Sequence, residues 1–286
     1  MPDIQRVGVV GAGLMGSGIA EVHARAGIDV LVTEVSQAAL DAGKARIDKS
    51  LQRGVRSGKL ATEDAEAALG RITFTTDIGA FADRDLVVEA VLEQEQAKVD
   101  VFSSLDKVIE RDDAILASNT SSIPIMKLGM ATSRPQQVVG IHFFNPVPVL
   151  PLVELVPSLL TSDKTIARAD AHVSEALGKT VIRSQDRAGF IVNALLVPYL
   201  LSAIRMFESG FASAEDIDNG MEKGTAHPMG PLRLADLIGL DTVKAIADSM
   251  YAEFKEPLYS SPPLLLRMVD AGLLGKKTGR GFYSYE

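Results

Sequence analysis

Residues 7–27 read VGVVGAGLMGSGIAEVHARAG, and this stretch decides the fold. It predicts a buried strand, then three glycines in the spacing G-x-G-x-x-G (Gly11, Gly13 and Gly16), then a helix that ends at Gly27. In such a unit the first glycine permits a tight turn, the second lets phosphates approach the backbone, and the third lets helix and strand pack closely. The N-terminus of the helix then faces the phosphates.

A carboxylate follows the second predicted strand, VLVT, which leads into Glu34, 23 residues after Gly11. A glutamate at this place accepts hydrogen bonds from ribose hydroxyls and repels the additional phosphate of NADP. Val35, Ser36 and Gln37 offer no arginine to hold that phosphate, so NAD is the predicted cofactor. This motif alone leaves FAD open, as well as a glycine-rich turn without any nucleotide.

Short apolar β-type segments alternate with longer helical patterns over the first part of the chain, which is typical of βαβ units and a mostly parallel sheet. After residue 185 the helical patterns follow one another. We therefore predict an α/β fold with a Rossmann-type NAD-binding domain at 1–185 and an all-helical substrate and dimerisation domain at 186–286. The predicted strands are Arg6 to Val10, Val30 to Thr33, Asp85 to Val91, Ala114 to Ala117, Val138 to Phe144, Leu152 to Val156 and Thr180 to Arg183.

Composition excludes several classes of protein. The net charge of −8 argues against nucleic acid as a partner, because the phosphate backbone requires a clustered positive field. The absence of cysteine excludes a disulfide framework and thiolate metal sites and is compatible with the cytoplasm, and four scattered histidines predict no metal site. No signal peptide is expected. The uncharged segment 188–204 is predicted to be a buried helix and not a membrane span.

Five separated segments carry a resemblance to a known family: GAGLMG, ASNTSS at 117–122, HFFNPVP at 142–148, GFIVNALLVPYL at 189–200 and GKKTGRGFY near the end. Together they cover essentially the whole chain, in the family's order. The chain resembles the 3-hydroxyacyl-CoA dehydrogenases, and among them the free-standing bacterial 3-hydroxybutyryl-CoA dehydrogenases. The resemblance implies NAD-dependent interconversion of 3-hydroxyacyl-CoA and 3-ketoacyl-CoA in fatty-acid metabolism (β-oxidation), by a homodimer whose C-terminal domains pair.

His142 and Glu154 match the catalytic pair of that family. Oxidising a secondary alcohol requires a base for the hydroxyl proton, and imidazole titrates near neutral pH. A carboxylate returning after the proline-rich turn can set the tautomer of the imidazole and stabilise its cation. Without the motif, the two residues read as a structural core histidine and a carboxylate at the end of a strand.

Other site residues follow from the resemblance. Ser121 and Asn193 are assigned to the 3-oxygen of the substrate, although the serine cluster also reads as a helix N-cap. Glu93 and Lys98 are placed near the nicotinamide and its ribose, whereas the residues alone indicate a solvated helix face. The cofactor contacts further implied by the family match are Leu14, Met15, Ser121 and Asn145.

A basic segment stands out in this acidic chain, since residues 44–59 hold six basic residues and one acidic residue. On a helix, Arg46, Lys49, Arg53 and Arg56 form one stripe beside Ser50, and such a stripe attracts the phosphates of coenzyme A. Related enzymes contact CoA through a serine matching Ser50 and a lysine seven residues later. That later position is a serine here, so the role would pass to Arg53, Arg56 or Lys59, unless the stripe is only a solvated surface.

Two other functions remain open at this level. A non-catalytic dinucleotide-binding protein can use the same scaffold, but it has no need of a base and the residue that orients it. A related β-hydroxyacid dehydrogenase with a catalytic lysine would use a free acid instead of a CoA thioester.

Overall fold

An eight-stranded sheet forms the centre of the first of two units, Met1–Asp186 and Arg187–Glu286. The computed structural model describes residues 3–285. The strand order is β3-β2-β1-β4-β5-β6-β7-β8. The strands are β1 Arg6–Val10, β2 Asp29–Thr33, β3 Ile72–Thr75, β4 Leu86–Glu89, β5 Ile115–Ser118, β6 Val138–Phe143, β7 Leu152–Pro157 and β8 Thr180–Arg183.

The six strands β1 to β6 run parallel, which confirms the predicted Rossmann-type sheet. Strand β7 is antiparallel to β6, and β8 is parallel to β7. The reversal at β7 follows from the short connection 144–151, because a parallel neighbour needs a crossover of a dozen or more residues. It pairs His142 directly with Glu154 across the two strands.

Helices cover the sheet, and the central strands β4, β5 and β6 are buried along their whole length, as expected for strands covered on both faces. The apolar core runs from Ile4 and Val7 through the α1 face at Ile19 to Val173. The helices of this unit are α1 Leu14–Arg25, α2 Gln37–Arg56, α3 Thr62–Gly70, α4 Glu95–Val108, α5 Ile125–Gly129 and α6 Asp163–Ala171.

The strand predictions differ from the structure in two respects. The segment predicted at Asp85 to Val91 pairs only over Leu86–Glu89, because the chain leaves the sheet at its carboxyl end. Strand β3, with the sequence ITFT, was not predicted. It is one of the two edge strands, it has four residues, and only its first residue is buried, so it lacks the apolar run that marks the central strands.

The second unit is helical, with α7 Val192–Glu208, α8 Ala214–Gly224, α9 Pro231–Ile238, α10 Leu240–Phe254 and α11 Pro263–Asp270. Two fully buried aspartates hold its C-terminal segment. Asp236 accepts hydrogen bonds from the backbone N–H groups of Phe282 and Tyr283, and Asp218 accepts one from the Tyr283 hydroxyl. Near the end of the chain, Arg280 forms isolated β-bridges with Gly275 and Ser284. Within residues 3–285, no helix has the length and apolarity that a membrane crossing requires.

Candidate functional site

The glycine loop has the geometry that a dinucleotide requires. Gly11 has φ +98°, and a Cβ there would lie 2.7 Å from the Ala90 carbonyl oxygen. A Cβ on Gly16 would lie 1.8 Å from the Gly11 carbonyl oxygen, so only glycine allows α1 to start this close to β1. In contrast, Gly13 has open space above it. The open space at Gly13, at the N-terminus of α1, therefore fits the phosphates of a dinucleotide such as NAD.

Glu34 lies at the end of β2 and is held towards this loop. Its Oε1 accepts a hydrogen bond of 2.7 Å from the N–H of Ala12, and its Oε2 accepts one of 3.2 Å from Val35. Arg46 of α2 donates to the Ala12 carbonyl oxygen at 3.0 Å. One member of the predicted CoA stripe, Arg46, is thus hydrogen-bonded to the glycine loop.

Leu14 and Met15 begin α1. Leu14 exposes 65% of its surface, and Met15 is half-buried.

A buried ion pair lies at the carboxyl end of β4. Lys98 of α4 donates to Glu89 at 2.6 Å, and both side chains are buried, at 1% and 0% exposure. Glu89 also accepts from the Ser118 hydroxyl at 2.6 Å and from the Val91 N–H at 2.7 Å. The reading of Lys98 as part of a solvated helix face is therefore wrong. Its ammonium faces inward because Glu89 compensates the cost of removing it from water.

Glu93 connects this pair to the loop after β5. It lies 3.2 Å from the Lys98 ammonium and accepts hydrogen bonds from the Thr120 hydroxyl and the Ser121 N–H, the latter at 2.9 Å. Desolvation acts to raise the pKa of Glu93, but the Lys98 charge and these hydrogen bonds outweigh it and lower the pKa. Glu93 is therefore an anion at neutral pH that sets the shape of the SNTSS loop.

The serine cluster does not cap a helix, which corrects that alternative. Helix α5 begins after Pro124 without a side-chain cap. The carboxylate of Asp186 instead accepts from the N–H groups of Ile125 and Met126 at 2.7 and 2.8 Å. Ser121 is half-buried, and the hydrogen bond from its backbone N–H to Glu93 fixes its position.

His142 and Glu154 form a buried pair. The distance from His142 Nδ1 to Glu154 Oε2 is 2.7 Å, and the side chains are 8% and 0% exposed. The ring of Phe144 packs against the imidazole with centroids 4.7 Å apart. Cross-strand pairing of β6 with β7 positions both side chains. The carboxylate favours the tautomer in which Nδ1 carries the proton.

The remaining predicted residues lie as follows. Asn145 is exposed in the connection 144–151, and Asn193 is 8% exposed in the first turn of α7 in the second unit. On α2, the Ser50 hydroxyl and the Arg53 charge act to lower the pKa of the buried Glu21, whereas burial raises it and prevails. Arg56 is exposed and lines a cavity of about 450 Å³ between α2 and α3.

The first unit thus brings its predicted cofactor residues and the histidine to the carboxyl edge of the parallel strands, where such folds bind ligands. The glycine loop follows β1, Glu34 follows β2, and Ser121 follows β5, while His142 lies at the end of β6.

The sequence did not predict two residues of this region, Glu89 and Asn119. Glu89 reads as one more strand residue, and its signal is a charge inside the apolar run LVVEAV. The Asn119 amide oxygen accepts from the Phe143 N–H at 2.9 Å, which ties the β5 loop to the strand carrying the histidine.

Both units match one family over nearly the whole chain. Residues 6–187 match the NAD-binding domain of 3-hydroxyacyl-CoA dehydrogenase, and residues 189–285 match the C-terminal domain of the same enzyme. The chain belongs to the 3-hydroxyacyl-CoA dehydrogenase family. It is an NAD-dependent dehydrogenase of this class.

Individual relatives agree with this assignment. The chain is 62% identical to the 3-hydroxybutyryl-CoA dehydrogenase of Mycobacterium tuberculosis over 282 residues, which cover 99% of each chain. The crystal structure of M. tuberculosis FadB2 is similar, with a TM-score of 0.98 at 62% identity and 99% coverage of both chains. The (S)-3-hydroxybutyryl-CoA dehydrogenase PaaH1 of Ralstonia eutropha follows with a TM-score of 0.93 at 45% identity, covering 99% of this chain and 100% of that one.

Proposed function

We propose that the enzyme interconverts 3-hydroxybutyryl-CoA and acetoacetyl-CoA, with His142 as general base and acid and Glu154 as the residue that orients it. The observation that carries the proposal is the buried hydrogen bond of 2.7 Å between the two side chains. The preference for a four-carbon acyl group is supported by the names of the similar proteins from M. tuberculosis and R. eutropha.

In the direction of oxidation, His142 takes the proton of the 3-hydroxyl group. Since Glu154 holds Nδ1, the proton is exchanged with the substrate at Nε2, and the carboxylate stabilises the imidazolium that forms. NAD, when bound, supplies the hydride acceptor, and NADH the donor in the reverse direction. Ser121 donates to the substrate's 3-oxygen, and we assign the same task to Asn193.

For the rest of the site, we assign the pyrophosphate to Gly11, Gly13 and Gly16 and the adenosine ribose to Glu34. Glu93 and Lys98 fix the loop beside the nicotinamide half. Further proposed cofactor contacts are Leu14, Met15, Ser121 and Asn145. For coenzyme A we propose Ser50, Arg53 and Arg56 on α2, of which Arg53 and Arg56 remain exposed.

The assay is direct. NADH absorbance at neutral pH is followed with acetoacetyl-CoA and with 3-ketoacyl-CoA thioesters of increasing length, and with acetoacetate as the free acid. We expect the highest kcat/KM with acetoacetyl-CoA and no turnover of the free acid. A higher kcat/KM with long acyl chains would overturn the chain-length assignment, and no turnover with any thioester would overturn the reaction.

We also propose a homodimer in the cytoplasm, with pairing through the second unit. That unit exposes large apolar side chains, including Leu195 at 73% and Phe211 at 79%. Large apolar side chains that are left exposed to water favour association through this unit. A monomer by light scattering at micromolar concentration would refute the pairing.

A further inference from the structure

A single ammonium group anchors the connection 144–151, which joins the strand of the histidine to the strand of the glutamate. Lys179 lies just before β8 and is half-buried. Its Nζ donates to the carbonyl oxygen of Val147 at 2.8 Å and to that of Leu150 at 2.7 Å. One cation therefore binds two points of the connection, three residues apart.

Besides Lys179, the buried side chain of Val147 and a few backbone hydrogen bonds hold the connection. Its three prolines lack a backbone N–H, and they occupy positions 146, 148 and 151. Within it, the N–H groups of Val149 and Leu150 both donate to the carbonyl of Pro146, at 2.9 and 3.0 Å. At its far end, the Thr180 N–H donates to the Pro151 carbonyl at 2.8 Å, so the residue after Lys179 belongs to the same attachment.

The surroundings of Lys179 disfavour its positive charge. Burial and then the neighbouring charge of Arg25 lower the pKa of its ammonium. Among residues 3–285 it forms no salt bridge, and its hydrogen bonds go to the two carbonyls. An apolar side chain would fill the same space without desolvating a charge, so the favourable contribution of this lysine lies in those two bonds.

We propose that Lys179 is a positioning residue for the His142–Glu154 pair, which it aligns by fixing the connection between their strands. This inference rests on the proposed function of the pair. Lys179 acts through its two hydrogen bonds to the connection and exchanges no proton with the substrate. Its loss loosens the connection that follows His142 and precedes Glu154, and an error of about 1 Å in a reacting group can lower the rate about 10²-fold.

Lys179→Met removes both hydrogen bonds and keeps the length of the side chain, whereas Lys179→Arg keeps a cationic donor. Arg183→Met is the matched control. Arg183 lies on β8, is exposed, and forms an ion pair of 2.7 Å with Asp170 instead of contacting the connection. Lys179→Met should lower kcat with acetoacetyl-CoA at least tenfold with the KM for NADH unchanged. Lys179→Arg should recover kcat to within about threefold, and Arg183→Met should match the parent.

Hydrogen exchange at the Val149 and Leu150 amides gives a readout that needs no substrate. Faster exchange in Lys179→Met than in Arg183→Met is expected. Unchanged exchange, or a kcat above half the parent value in Lys179→Met, would overturn the inference, even if the variant melts at a lower temperature. If the parent protein turned over no thioester, the proposed function would fail, and the exchange rates would still decide whether Lys179 holds the connection.

Discussion

Acid should destabilise the first unit through two buried histidines. His23 of α1 and His172 stack with ring centroids 5.2 Å apart, and they are 1% and 4% exposed. Burial lowers the pKa of His23 to about 4, against the opposing effect of its hydrogen bond to the Ile19 carbonyl. Burial, and then the charge of His23, lower the pKa of His172 to about 3. Both rings are therefore neutral in the native state at pH 5.

The sign and size follow from proton linkage. In the unfolded chain both imidazoles titrate near pH 6.5, so at pH 5 the unfolded chain binds two protons that the native state does not. Their contribution to stability is fully present above pH 6.5 and is lost as the pH falls towards the folded pKa values. Between pH 7 and pH 5 the loss is about 2 kcal/mol for each histidine and about 4 kcal/mol for both. That is a large part of the 5–15 kcal/mol typical of a folded protein.

Urea unfolding at pH 7, 6 and 5 measures this effect. All five tyrosines lie in the second unit, so their fluorescence follows that unit while circular dichroism follows both. The double variant His23→Leu, His172→Leu should lose most of the pH dependence, whereas His227→Gln, at an exposed histidine, should keep it. Burial raises the pKa of Glu21, which acts in the opposite direction and cancels when variants are compared at each pH. A pH dependence in the double variant equal to that of the parent would refute the reasoning.

Three further predictions concern the ligand sites. Glu34→Ser should raise the ratio of kcat/KM with NADPH to that with NADH, and an unchanged ratio would contradict the role of the carboxylate. Gly13→Ala should weaken NADH binding without lowering Tm, whereas Gly16→Ala should also cost about 1–3 kcal/mol of stability, since its Cβ overlaps a backbone oxygen. Equal effects of the two alanines would contradict the geometry of the loop. The double change Arg53→Glu, Arg56→Glu should raise KM for acyl-CoA several-fold, leave KM for NADH unchanged, and weaken the salt dependence; no change would identify the stripe as a solvated surface.

Local spacing was sufficient to predict the parts of the fold and site that lie within one βαβ unit. The glycine loop and the strand leading to Glu34 follow from the constraints on a single tight turn and its helix, and their geometry is as predicted. The pairing of His142 with Glu154 also has a local cause, because a short proline-rich connection returns the chain beside itself.

The remaining features depend on contacts between distant elements. Lys98 reads as a surface residue because its partner Glu89 lies on another element, and no spacing rule joins a strand end to the next helix face. Arg46 lies on the predicted stripe, yet it donates to Ala12, 34 residues earlier. The edge strand β3 lacks an apolar run, since one flank is solvated. In these cases contacts between distant elements, and not the local sequence pattern, determine the structure.

The central claim is that His142 and Glu154 act together on the substrate's proton and not on the cofactor. The most direct measurement is kcat for NADH-dependent reduction of acetoacetyl-CoA in His142→Asn and Glu154→Gln, with NADH affinity determined by fluorescence titration of the same preparations. We predict that kcat falls by ~10²-fold to 10⁴-fold in His142→Asn and severely in Glu154→Gln, with NADH affinity and circular dichroism unchanged. A kcat above half the parent value in either variant would contradict the claim.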